Sequence, residues 1–183
     1  LRVLESVVSH LQSLQDPATR PLLAVNVSGN SLSDQAFLDR VLALVEHSGV
    51  AASLCFEITE TAAVSHLDTA ALFMRELKAR GCRFSLDDFG SGLSSFRYLK
   101  NLPIDFLKID GEFVAHVVSD AVDRSVVRAI VQVGRSLGIA TVAEKVETGE
   151  VLALLEEIGV DYAQGFHIAR PQPLVAGAAM VLG

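Results

Sequence analysis

The sequence predicts an α/β domain with a parallel sheet covered by helices. Short apolar strands alternate with stretches whose apolar residues recur at helical spacing, along nearly the whole 183-residue chain. Each predicted strand turns polar at its C-terminal end. No linker, low-complexity segment or sequence repeat divides the chain, so residues 1–183 read as one domain.

Leu1, Leu4, Val7, Val8, Leu11 and Leu14 give residues 1–14 the spacing of a helix. Asp16-Pro17 and Arg20-Pro21 mark a loop. A strand at 22–27 ends in Asn26, and Ser33 is placed to cap a helix running to 47, closed by Gly49. The strand at 54–59 carries Glu57 and leads to Glu60. A helix is expected at 65–80, stopped by Gly81. The strand at 83–87 ends in Asp87-Asp88, and a short helix at 94–101 stops at Leu102-Pro103. The strand at 105–110 carries Lys108 and Asp110. Val126, Val127, Ile130 and Val133 mark a helix at 123–137, ended by Gly138. A strand at 139–143 runs into Glu144, a helix at 151–158 stops at Gly159, and a short strand at 162–166 carries Gln164. Pro171 and Pro173 precede a last helix at 174–182.

Half of the residues are hydrophobic, a fifth are charged and the net charge is −7, which fits a folded domain and argues against disorder. The acidic balance disfavours broad contact with a DNA or RNA backbone, but not a small phosphate ligand held through metal. The longest apolar runs are broken by charge, and no basic-then-apolar opening is present. Cys55 and Cys82 suggest no disulfide framework, and the expected setting is reducing and cytoplasmic, with room for a membrane-anchored parent protein.

The polar strand ends are, in order, Asn26, Glu57, Asp87 with Asp88, Lys108, Glu144 and Gln164. In a parallel α/β protein all strand C-termini share one face, where the active site lies. Adjacent strand residues point to opposite faces, so for Asp87 and Asp88 to serve one site the chain must turn at or just after Asp88; Gly90 and Gly92 permit that. Converging carboxylates repel and raise one another's pKa, and divalent cations relieve the repulsion. Carboxylate and amide oxygens suit Mg²⁺ or Mn²⁺, whereas the five histidines show no zinc spacing. A pair of hard cations with Lys108 fits hydrolysis at a phosphate. Asp88-Phe89-Gly90 also spells the metal-binding triplet of protein kinases, but no glycine-rich loop or His-Arg-Asp loop accompanies it. A Schiff-base aldolase or lyase using Lys108 is a further alternative, opposed by anionic neighbours that would keep the amine protonated.

The segments Asn26-Val27-Ser28, Glu57-Ile58-Thr59-Glu60, Asp87-Asp88-Phe89-Gly90-Ser91-Gly92-Leu93-Ser94-Ser95, Lys108-Ile109-Asp110, Ala143-Glu144-Lys145-Val146-Glu147-Thr148 and Gln164-Gly165-Phe166 occur in one order across nearly the whole chain. In this set the sequence resembles the EAL domain family, the cyclic di-GMP phosphodiesterases of bacterial signalling. The resemblance implies a TIM-type (β/α)8 barrel and hydrolysis of cyclic di-GMP to linear pGpG with Mg²⁺ or Mn²⁺, two ions in all. It assigns Asn26, Glu57, Asp87, Asp88 and Glu144 to the metals, with Glu144 counted also among the catalytic acids. Lys108 is assigned to positioning and activating the water, Gln164 to a partner of that water, and Glu147 to steadying the loop after Asp88. That loop, 89–95, is linked in the family to metal binding and dimer contacts. The implied partners are the cyclic dinucleotide, a second copy of the domain, and neighbouring sensor or diguanylate cyclase domains.

Two departures stand out. Lys145 replaces a glycine common in the family, and the Glu-Ala-Leu strand, whose glutamate is a metal ligand, is absent. Six strand–helix units also fall short of the eight in a full barrel, so the barrel is expected to be incomplete at the N-terminus. Some readings stay open: Glu60 as ligand, salt bridge or cap; Asp110 as a partner of Lys108 or of a loop; Phe166 and Pro171 as flanks for a guanine or as packing residues. Glu156-Glu157 reads as a solvated helix face, and Cys55 as an inert core residue. A catalytically silent cyclic di-GMP receptor is the alternative within the family, although the retained acids and Lys108 favour catalysis. The chain as given is expected to bind metal incompletely and to turn over weakly or not at all; normal hydrolysis of cyclic di-GMP in Mg²⁺ or Mn²⁺ would contradict this.

Overall fold

Strands rich in Val, Ile, Leu and Phe form wherever an apolar run is bounded by turn residues, and six of them assemble here. In the computed structural model, which describes residues 1–90 and 96–174, they are β1 (Leu23–Asn26), β2 (Leu54–Thr59), β3 (Arg83–Phe89), β4 (Phe106–Ile109), β5 (Ala140–Ala143) and β6 (Tyr162–Ala163). All neighbours pair in parallel, in the order β1-β2-β3-β4-β5-β6. A sequential order is that of a barrel, since a doubly wound sheet reverses direction midway. The six strands thus form the expected incomplete (β/α)8 barrel. Its helices are α1 (Arg2–Ser13), α2 (Gly29–Leu32), α3 (Gln35–Ser48), α4 (Glu60–Ser65), α5 (Leu67–Lys78), α6 (Gly111–Ala115), α7 (Ala121–Leu137) and α8 (Gly149–Ile158). None is long and apolar enough to cross a membrane among the described residues.

The period of two divides each strand between helices and lumen. Phe56, Ile58, Phe84, Leu86, Leu107 and Ile109 point outward and are buried. Phe56, Phe73 of α5 and Phe84 form an aromatic cluster with ring centroids 5.6–5.9 Å apart. The lumen face instead carries Cys55, Glu57, Ser85, Phe106, Lys108 and Gln164 along one cleft. Cys55 and Cys82 are buried and unpaired, and burial pushes both thiols up to about 12, as expected for inert core residues.

Several boundaries differ from expectation. The helix expected at 33–47 begins at Gln35 because Asp34, not Ser33, caps it, accepting from the Phe37 amide at 3.1 Å. The helix expected at 65–80 runs from Leu67 to Lys78, and a separate short helix, Glu60–Ser65, precedes it with His66 between them. At 96–101 the chain forms a 3₁₀ turn rather than an α-helix. The strand expected at 162–166 stops at Ala163. Residues 91–95 of the serine-rich loop, and the last expected helix beyond Leu174, lie outside the described residues.

The strand N-termini share a device. Asp105, at the head of β4, accepts from the Phe84 amide of β3 at 2.9 Å and from Lys78 Nζ at 2.6 Å. Asp161, before β6, accepts from the Thr141 amide of β5 at 2.7 Å and from its hydroxyl at 2.8 Å. Thr141 is buried, so removing the carboxylate strands its donors. Asp161→Ala is expected to lower stability by about 2 kcal/mol in urea unfolding, with an unchanged m-value; a loss near zero would show that water replaces the carboxylate.

Candidate functional site

Parallel register sets the site. Asn26 of β1 pairs with Glu57 of β2, Thr59 of β2 with Asp87 of β3, and Ile109 of β4 with Ala143, the residue before Glu144. Side chains from adjacent strands therefore meet at one rim of the lumen. Lys108 reaches up from β4 into their midst. Its Nζ lies 2.8 Å from Asp87 Oδ1, 2.5 Å from Glu144 Oε1 and 3.3 Å from Glu57 Oε1. The lysine side chain is 6% exposed and its partners 13–15%.

Three carboxylates around one ammonium leave an excess of negative charge in a partly dry site. Burial raises the pKa of Glu57 and of Glu144, in each case against the pull of Lys108 and with help from Asp87. Burial alone would lower Lys108. The hydrogen bonds to Asp87 and Glu144 and the charge of Glu57 outweigh it and hold the ammonium above the ordinary lysine range. Lys108 is therefore a donor and a fixed positive charge, unsuited to forming a Schiff base.

Asp88 joins the site through a backbone irregularity. The β3–β4 register shifts between Leu86 and Phe89, and Asp88 takes a left-handed conformation with φ 54°. Aspartate tolerates this region better than most residues. The turn thus occurs at Asp88 itself, and β3 resumes to Phe89. One oxygen each from Asp87, Asp88 and Glu144 lies within 4.8 Å of the others. Burial, then Asp87 and Asp110, raise the Asp88 carboxyl above its usual range. This set of hard oxygens with surplus negative charge fits a divalent cation. Glu57 lies beside it, linked through Lys108.

The remaining expected residues are distributed around this centre. Asn26 is exposed at the end of β1, beside Glu57. Gln164 lines the same cleft as Lys108, and its backbone is tied to Ala143 and Val146. Phe166 and Pro171 are exposed beyond β6, with the Arg170 guanidinium 5.2 Å from the Phe166 ring centre. Glu147 is exposed and has no ion pair among the described residues. The loop that Glu147 was expected to steady lies mostly outside the described residues; at its first residue Glu60, which is buried, accepts from the Gly90 amide at 3.1 Å. Gly90 has φ 101°, and a Cβ there would meet Phe113 at 3.0 Å, so the anchored turn needs glycine. Asp110 caps α6 by accepting from the Glu112 amide at 2.9 Å, which resolves its role in favour of local structure. Arg83 and Tyr162, missed in the sequence, line the lower lumen. The period of two, counted down from Asp87 and Gln164, is the signal that would have placed them.

Comparison with known proteins agrees with this geometry. The EAL domain model matches residues 1–171. The chain is 42% identical over 155 residues to the cyclic di-GMP phosphodiesterase PdeB of Shewanella oneidensis, covering 84% of this chain and 18% of that protein. It is 37% identical over 160 residues to the cyclic di-GMP phosphodiesterase PdeF of Escherichia coli K12, covering 87% of this chain and 21% of that protein. The chain thus spans about a fifth of the length of these curated relatives. Among solved structures, the PaMucR phosphodiesterase in complex with c-di-GMP superposes with a TM-score of 0.81 at 34% identity, covering 94% of this chain and 72% of that one. With its parallel half-barrel and the acid–lysine cluster at the strand C-termini, the chain belongs to the EAL domain family.

Proposed function

We propose that the protein carrying this chain hydrolyses cyclic di-GMP to linear pGpG with the help of divalent cations. The observation that carries the reading is the Lys108 ammonium held at once by Glu57, Asp87 and Glu144, contributed by β2, β3 and the end of β5. A lumen rim that concentrates carboxylates and keeps one ammonium protonated is suited to a phosphodiester, whose hydrolysis develops negative charge. The names of the matched relatives and the bound ligand of the matched structure point to the same substrate.

Asn26, Glu57, Asp87, Asp88 and Glu144 are the residues assigned to hold Mg²⁺ or Mn²⁺, two ions in the complete site. Such ions supply Lewis acidity toward the phosphodiester and neutralise its charge. The chain's own groups do the rest. Lys108 donates, through its ammonium, to a water or phosphoryl oxygen at the rim. Gln164 orients that water from the cleft wall, and Glu144, raised by burial, is the acid placed to accept its proton. Phe166 and Pro171 offer apolar surface beyond β6 for a guanine. Glu147 is assigned, with Glu60, to steadying the loop after Asp88. A homodimer, adjoining sensor or cyclase domains and a cytoplasmic site of action complete the proposal. A catalytically silent receptor is the less favoured reading, because binding alone gives no reason to crowd three carboxylates around a lysine with a fourth, Asp88, beside them.

The test is conversion of cyclic di-GMP, resolved by anion-exchange chromatography, in a form extended at its N-terminus with Mn²⁺, Mg²⁺ or chelator. Lys108→Ala and Asp87→Asn are each expected to reduce turnover by about 10²–10⁴-fold while leaving the circular dichroism spectrum unchanged. Turnover that survives either substitution, or survives chelation, contradicts the proposal.

A further inference from the structure

Gly165 stands where two chain segments meet more closely than any side chain permits. A Cβ there would lie 2.2 Å from the carbonyl oxygen of Val146 and 2.3 Å from its nitrogen. Backbone atoms cannot swing aside as a side-chain end can, so the approach itself needs glycine. Gly165 is not among the glycines with positive φ, so space and not conformation is the reason. Around this point the backbone interlocks. The Gln164 amide donates to the Ala143 carbonyl at 2.8 Å, and the Gln164 carbonyl accepts from the Val146 amide at 3.0 Å. The His167 amide donates to the Val146 carbonyl at 3.0 Å. Val146 is fully buried.

Glu144 and Lys145 lie between the two gripped residues, Ala143 and Val146, and must turn within a span fixed at both ends. Lys145 takes a left-handed backbone there, with φ 50°. A lysine has no local side-chain hydrogen bond to offset that conformation, unlike an aspartate. Such a residue persists where its surroundings over-determine the backbone. Its stem packs on α6, where a Cβ at Gly111 would sit 2.4 Å from Lys145 Cδ. On the other side of the turn, Glu144 Oε1 reaches Lys108 Nζ at 2.5 Å. Gln164, which forms the grip, lines the same cleft as Lys108.

Building on the functional reading above, which gives Glu144 and Gln164 roles at the rim, we infer that Gly165 is a positioning residue for both. By letting the backbone of 164–167 close on Ala143 and Val146, it forces the left-handed turn at Lys145, and that turn aims the Glu144 carboxylate at Lys108. The strain at Lys145 is the measurable trace of this clamp. Gly165 itself touches no reacting atom.

The test is urea unfolding of the full chain carrying Lys145→Gly or Lys145→Ala, each with and without Gly165→Ala. Both changes at 145 remove the stem, so its packing on Gly111 cancels from the comparison, and glycine alone accepts the left-handed backbone freely. With Gly165 intact, Lys145→Gly is expected to fold with an equilibrium constant about fivefold larger than Lys145→Ala. With Gly165→Ala that advantage is expected to vanish or reverse, because the turn is released. Equal stability of the two variants beside Gly165, or an advantage that survives Gly165→Ala, overturns the inference. If Gly165→Ala does not fold, the comparison beside Gly165 decides. The spectroscopic readout is the Lys108 ammonium signal in a ¹⁵N-lysine-labelled chain at neutral pH, assigned by its loss in Lys108→Ala. Gly165→Ala is expected to shift it, and Gly149→Ala, where a Cβ meets His167 at an ordinary 3.5 Å, to leave it in place. A signal unmoved in folded Gly165→Ala shows that the clamp does not position Glu144. None of these measurements needs metal or substrate, so they fail separately from the hydrolytic reading, which the turnover test above decides.

Discussion

Glu57, Asp87 and Glu144 come from neighbouring strand ends, and parallel pairing forces them toward one another. Unopposed, they would repel in a site that water only partly reaches. Lys108 makes their convergence tolerable by placing one ammonium within 3.3 Å of all three. The compensation is incomplete. Asp88 adds a fourth carboxylate, and Glu57, Asp88 and Glu144 all have raised pKa values despite the lysine. That residual negative charge gives the rim its affinity for cations.

The rest of the architecture holds this balance in place. Phe56, Phe84 and Phe73 pack the outer face of β2 and β3 against α5, so the strands that carry Glu57 and Asp87 cannot slide. Asp105 and Asp161 pin the opposite ends of the strands. At the rim itself the backbone is irregular where regular geometry would aim side chains away. A bulge turns Asp88 into the site, and Glu60 fixes the Gly90 amide just beyond it. Strained positions gathered beside an otherwise regular sheet are a common mark of a working site.

Much of this was legible in the sequence. Parallel strands present their C-terminal ends on one face, so a polar residue closing each apolar run placed Glu57, Asp87, Lys108 and Glu144 together before any coordinates. What the sequence hid was short or local. The helices capped by Ser28, Thr59 and Asp110 span only four to six residues, too few to show a helical period. Two adjacent aspartates called for a turn at or just after Asp88, and the left-handed backbone falls at Asp88 itself; what the letters did not show is that β3 resumes beyond it to Phe89. Glu60 left ligand, salt bridge and cap open as roles, and only its burial and its bond from the Gly90 amide mark it as an anchor of the turn after Asp88. Lys145 read only as a replacement of a glycine, since neither its left-handed backbone, with φ 50°, nor the packing of its stem on Gly111 shows in a string of letters.

The central claim is that Lys108 is a buried ammonium held protonated by three carboxylates. Its side-chain nitrogen can be followed directly by NMR in a ¹⁵N-lysine-labelled sample as pH is raised. The account predicts that this one lysine keeps its proton beyond the range, near pH 10.4, where its exposed counterparts lose theirs. Deprotonation at or below that range would show that burial, not the carboxylates, governs Lys108, and the proposed site would lose its organising charge.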